Sequence, residues 1–228
     1  MRMKSIFRHE TILFLVVIVA LVILSIQAEQ FATIDNLLNQ GRFLTEVSLV
    51  ALIMTFVIVT GGIDLSVGSI LGLSAIVLGV AWKKLGLPLP LAILVALSVG
   101  TLAGLFNGII ITRFKVPPLI ATLATLALYR GLAEGISQAR SIRGYPEWFF
   151  ILGQGEFFGI PTQLWIVAFF TLLTGFILTY TTWGRATYAI GANETAARFS
   201  GIAVDKTKLF IYAASGFAAS LACLLYTS

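Results

Sequence analysis

Charge is scarce in this chain: Asp, Glu, Lys and Arg together make up 11% of its 228 residues, where a soluble globular domain carries roughly 25%. There is one cysteine, Cys223, so no internal disulfide can form. The single histidine, His9, lies in the N-terminal tail. A His-based catalytic triad and a Cys/His metal cluster are both excluded, and no metal or catalytic residue is expected. The net charge of +5 comes from basic residues scattered singly along the chain, whereas a nucleic-acid face needs them clustered. Nucleic acid is therefore not an expected partner. A phosphate-binding G-x-x-x-x-G-K-[ST] loop is missing too; the glycines near Asp64 have no lysine after them.

What the sequence has in abundance is apolar length. Hydrophobic residues account for 58% of the chain, and the mean hydropathy is +0.99. A membrane span needs roughly 20 such residues. Candidate spans fall at 11–27, 43–60, 65–82, 88–112, 117–135, 163–182 and 208–226, seven in all. The basic tail before 11–27 has the form of a signal peptide. The further spans behind it favour an uncleaved first crossing. Segment 43–82 has a second reading, one span followed by a broken or re-entrant helix. The expected fold class is an all-α, polytopic membrane helix bundle, with the lipid bilayer as its first partner.

Lys and Arg orient the bundle, because cytoplasmic loops carry the excess. With the tail inside, the inner segments hold Arg2, Lys4, Arg8, Arg113, Lys115, Arg185, Arg198, Lys206 and Lys208. The outer segments hold Arg42, Lys83, Lys84, Arg140 and Arg143. Nine against five places the N-terminus in the cytoplasm and favours seven crossings. Segment 31–42 spaces Phe31, Ile34, Leu37 and Leu38 as an interfacial helix would, or is an ordinary loop. Trp148, Phe149 and Phe150 in the outer loop suit the headgroup zone.

Within the spans, polar residues are costly, so each one asks for a reason. "TGGIDLSVGS", residues 60–69, sets Asp64 and Ser66 behind two glycines. Asp64 or Ser66 can cap the helix that follows. Non-helical backbone at membrane depth is tolerated only where it is buried or lines a cavity, so Asp64, Ser66 and Asn107 are candidates for the border of a solute path. Gly100, Gly104 and Gly108 recur every fourth residue and form a stripe against which another helix can pack closely. Gly68 and Gly72 begin a shorter stripe. Asn107 is placed to hydrogen-bond across helices, and Arg130 and Glu134 to pair along one face.

The polar loop 184–207 has the clearest local design. Asn193 can cap a helix with Glu194 in its first turn, and Gly201 can end it. The resulting helix of about seven residues cannot stand alone in water and must dock on something. Ala196 and Ala197 keep one side narrow, and Phe199 adds an apolar plug; folding back on the chain's own membrane domain is the alternative.

Three stretches taken in order, "TGGIDLSVGS", "RFKVPPLIATLATLALYRGLA" and "YAIGANETAARFSGIAVDKTKLFIYAASG", resemble the permease subunits of ribose-type bacterial sugar ABC importers. The resemblance covers nearly the whole chain. It implies a single permease domain over 1–228 whose loop 184–207 couples to a cytosolic ATP-binding cassette ATPase. It also implies a second permease subunit, a periplasmic sugar-binding protein, residence in the bacterial inner membrane, and ATP-Mg bound on the partner rather than on this chain. In such permeases the docking loop carries an EAA-x₃-G pattern. Here Thr195, Ala196, Ala197 and Gly201 align with it, and Glu194 stands one residue early. The implied transport is alternating access of a monosaccharide of the ribose or rhamnose type. The resemblance implies roughly ten spans of this length, so the chain reads as C-terminally truncated, with its closing "LLYTS" open to being non-native. An ion-coupled secondary sugar transporter is the rival reading, with Asp64 and the Arg130–Glu134 pair as coupling candidates.

Overall fold

The computed structural model describes residues 9–138, 140 and 144–228. Arg2, Lys4, Arg8 and Arg143 of the charge count lie outside that set. Contacts divide the chain into two units, 1–43 and 44–228. The helices in order are α1 (His9–Gln27), α2 (Ile34–Val59), α3 (Val67–Gly79), α4 (Leu89–Arg113), α5 (Pro118–Ser137), α6 (Glu147–Gln154), α7 (Thr162–Tyr180), α8 (Thr182–Ala192), α9 (Glu194–Phe199) and α10 (Val204–Thr227). A two-residue hairpin, β1 (Glu156–Phe157) with β2 (Ile160–Pro161), precedes α7. The protein is an all-α polytopic membrane bundle.

Among the described residues six helices are long and apolar enough to cross a membrane, and the apolar run Thr11–Gln27 forms a seventh, shorter helix. Segment 43–82 contains two of the six: α2, and α3 extended to Lys84 by one wide turn at Val80–Lys84. Two separate helices of spanning length fit the two-span reading of this segment, with a non-helical turn between them. The reading of 31–42 as a separate surface helix or loop is corrected, because residues 34–42 are the opening turns of α2 itself. Their apolar spacing simply continues into the span.

Proline punctuates the chain. All six prolines stand at helix starts: Pro88 and Pro90 at α4, Pro117 and Pro118 at α5, Pro146 at α6 and Pro161 at α7. At these positions the missing N–H costs nothing and the fixed φ is already suitable.

Helix α10 is the most buried of the spans, and α7 is the least. A close backbone seam joins α4 to α10. A Cβ at Gly104 would lie 2.1 Å from the carbonyl oxygen of Tyr212, and one at Gly216 would lie 2.1 Å from that of Gly100. Backbones meet there because no side chain intervenes. Gly68 and Gly72 have no such role; nothing lies within 4 Å of a Cβ at either. On another side of the bundle, Phe149 is fully buried beside Tyr145, Leu78 and Leu224, while Trp148 stays exposed. The three aromatics of that loop thus divide between core and surface instead of forming one belt.

Candidate functional site: a buried polar node and a charged short helix

The polar residues of four elements converge at one point. After α2, Gly61 takes a left-handed φ of +77° and lets the chain turn out of helix. Gly62 cannot carry a side chain, since its Cβ would stand 2.6 Å from the Tyr212 hydroxyl. This turn presents Asp64. Its Oδ1 accepts from the Ser66 backbone N–H (2.9 Å) and from the Ser66 hydroxyl (2.7 Å). Its Oδ2 accepts from the Ser215 hydroxyl of α10 at 3.0 Å. Asn107 of α4 donates its amide to Ser66 Oγ at 2.7 Å. Tyr129 of α5 donates to the carbonyl of Ala103 (2.8 Å) and reaches Asn107 Oδ1 at 3.3 Å. On the same turn, Thr122 of α5 donates to the Ile63 carbonyl at 3.2 Å.

The capping expectation is corrected for Ser66 by these contacts. Ser66 occupies the N-cap position of α3, yet its own side chain does not cap the helix; Asp64 instead takes the Ser66 N–H at the helix start. The Ser66 hydroxyl is already committed to Asp64 and to Asn107 of α4. A carboxylate in an apolar interior is tolerable only when donors surround it, and here three donors do. Asp64, Ser66 and Asn107 are all buried. They do not border the apolar cavity of about 400 Å³ between α2, α7 and α10, which is lined by residues such as Phe56, Phe170, Trp183 and Phe210.

A second constellation surrounds α9. Asn193 caps it, its Oδ1 accepting from the Ala196 N–H at 2.9 Å, and Gly201 closes it with φ +83°. Inward, Ala197 packs with Ile190 and Val204. Outward, Thr195 and Ala196 are exposed and Phe199 is 89% exposed. Ion pairs hold the mount. Arg198 grips Asp205 with both terminal nitrogens, and Asp205 also takes Lys115 at 3.0 Å. Glu194 accepts from Arg198 at 2.9 Å and from Lys208. The Lys208 hydrogen bond, then that of Arg198, holds the Glu194 carboxyl below its ordinary range. The Asp205 and Glu194 hydrogen bonds push the Arg198 guanidinium further up. The early placement of the acidic residue now has a structural reason: Glu194 faces its own chain, and Thr195 faces out.

Two of the expectations were incomplete. Tyr129, Tyr212 and Ser215 belong to the node, and Lys115, Arg198, Asp205 and Lys208 to the mount; all seven lie within the quoted stretches, but none was singled out for these contacts. Hydroxyls inside spans were the available signal for the first group. The Arg130–Glu134 pair forms at 3.1 Å and is largely exposed, 74% and 68%.

Against known proteins, the family of branched-chain amino acid transport system permease components matches residues 34–228. The ribose import permease protein of Haemophilus influenzae is 39% identical over 219 residues, covering 94% of this chain and 68% of that protein. That of Bacillus subtilis is 40% identical over 218 residues, covering 94% and 67%. The L-arabinose transport system permease protein of Escherichia coli is 35% identical over 206 residues, covering 87% and 60%. No solved structure matches the chain.

Proposed function

The chain belongs to the permease-component family of these transport systems, and from that premise we propose that it is the transmembrane subunit of an ATP-binding cassette importer for a monosaccharide of the ribose or rhamnose type. Its relatives' names, ribose and L-arabinose permeases, support the sugar class. It would reside in the bacterial inner membrane with the N-terminus in the cytoplasm, beside a second permease subunit and a periplasmic sugar-binding protein. ATP-Mg would be bound by a partner ATPase.

The observation that carries this reading is the construction of α9. A six-residue helix is too short to persist alone, yet here it is capped, ion-paired and aimed outward with Phe199 at its tip. Such a rigid knob suits a groove on a partner. Helix α10 then transmits the push. Its first turns carry Asp205 and Lys208, which hold α9, and two turns further on Ser215 holds Asp64. Closure of the ATPases on α9 would therefore move α10 against the node and rock the bundle between inward- and outward-open states.

Co-purification tests the docking role. Gly201→Pro should abolish capture of the ATPase while leaving membrane insertion intact; unchanged capture refutes the role of α9. Uptake that persists without the ATPase and collapses with a proton uncoupler would favour the ion-coupled alternative.

A further inference from the structure

Tyr212 has a hydroxyl for which the resting arrangement gives no use. The side chain is 1% exposed, and its oxygen has no hydrogen-bond partner. A buried hydroxyl left unpaired is costly and calls for a reason. Its position supplies one: it abuts Gly62, two residues before Asp64, at a spot where any Cβ would stand 2.6 Å away. Tyr212 and Ser215 lie three residues apart on one face of α10, which is roughly 4.5 Å along the axis. Ser215 already donates to Asp64.

We infer that Tyr212 is the alternative donor to Asp64, and that the carboxylate passes from Ser215 to Tyr212 when α10 shifts during transport. This rests on the reading of the chain as an ATP-driven permease. Three features make the exchange practicable. The α4 seam facing α10 is built from Gly100 and Gly104 against Gly216, the Tyr212 backbone and the small Ser220 side chain, so no bulky side chain interlocks across it. The near end of α10 is tied to α9 through Asp205 and Lys208, so a displacement of α9 is delivered along α10. A released Ser215 hydroxyl has a ready acceptor in the carbonyl four residues back, as Thr112 and Thr187 already do. Asp64 keeps its Ser66 donors throughout, so the carboxylate is never stranded. The result is a two-position element of less than one turn, biased by whatever pushes α9.

The test uses the assembled importer, with its ATPase and binding protein, in proteoliposomes. Radiolabelled ribose, arabinose and rhamnose serve as probes, together with the rate of ATP hydrolysis. Tyr212→Phe removes only the unpaired hydroxyl. Its melting temperature should equal or exceed that of the unsubstituted complex, while coupled uptake falls about tenfold, the population shift that one hydrogen bond can supply. Ser215→Ala should do the opposite to the resting state and raise ATP hydrolysis in the absence of sugar. Wild-type uptake by Tyr212→Phe overturns the inference. So does a lowered melting temperature, which would mean the hydroxyl already has a partner at rest. Sugar uptake by the unsubstituted complex without ATP hydrolysis would instead refute the ATP-driven reading itself.

Discussion

The node at Asp64 and the mount of α9 do the same mechanical job with opposite materials. Each fastens α10 to another part of the chain. The mount uses five charged side chains at a partly exposed surface, where each pair contributes little and salt weakens it. The node uses one carboxylate among hydroxyls and amides, all buried. Inside a membrane a cation placed beside Asp64 would need its own partners, and neutral donors satisfy the carboxylate without that demand. The comparison teaches that α10 is held by exchangeable ion pairs at the end that carries α9, and by specific neutral donors at its centre.

That contrast can be broken most severely at the seam beside the node. Gly104→Leu forces a Cβ to within 2.1 Å of a backbone oxygen. It should destabilise the bundle by more than about 3 kcal/mol, beyond ordinary overpacking because neither backbone can yield. Loss of the cooperative melt in detergent would register it. Next in size, Asp64→Ala strands the Ser66 and Ser215 donors and should cost about 2 kcal/mol, with a fall in melting temperature that hardly changes with added salt. The smallest effect belongs to the mount. The Glu194 carboxyl is held below its ordinary value of 4.5 by Lys208 and then Arg198. Its contribution is therefore complete above that value and is lost as pH falls through the lowered one. Protection from hydrogen exchange over residues 194–200, taken relative to the intrinsic rate at each pH, should fall in that acid window and in high salt, while protection around residues 62–66 persists.

How much of this was legible in the sequence varies with the distance over which each feature is decided. The caps of α9 were legible, because Asn193 and Gly201 act within a single turn. The spans were legible because apolar length is a property of contiguous residues. The role of Ser66 was not, because the oxygen that would have capped α3 is taken by a residue 41 positions away. Ser215 and Asp64, separated by 151 positions, share no local signal at all. Phe149 looked like its neighbours Trp148 and Phe150, yet only packing against Leu78 and Leu224 turned it inward.

By itself, the amino-acid order determined that this chain lives in lipid, where its helices turn, and that a short capped helix stands outside the bundle. Those outcomes depend on hydropathy, proline and cap chemistry, which act between near neighbours. Tertiary structure alone decided which polar side chains meet Asp64 and which glycines let α4 and α10 touch. It also left the Tyr212 hydroxyl without a partner. Such pairings are set by how distant helices cross, and a crossing is a property of the packed bundle, fixed by shape and close contact over many residues at once.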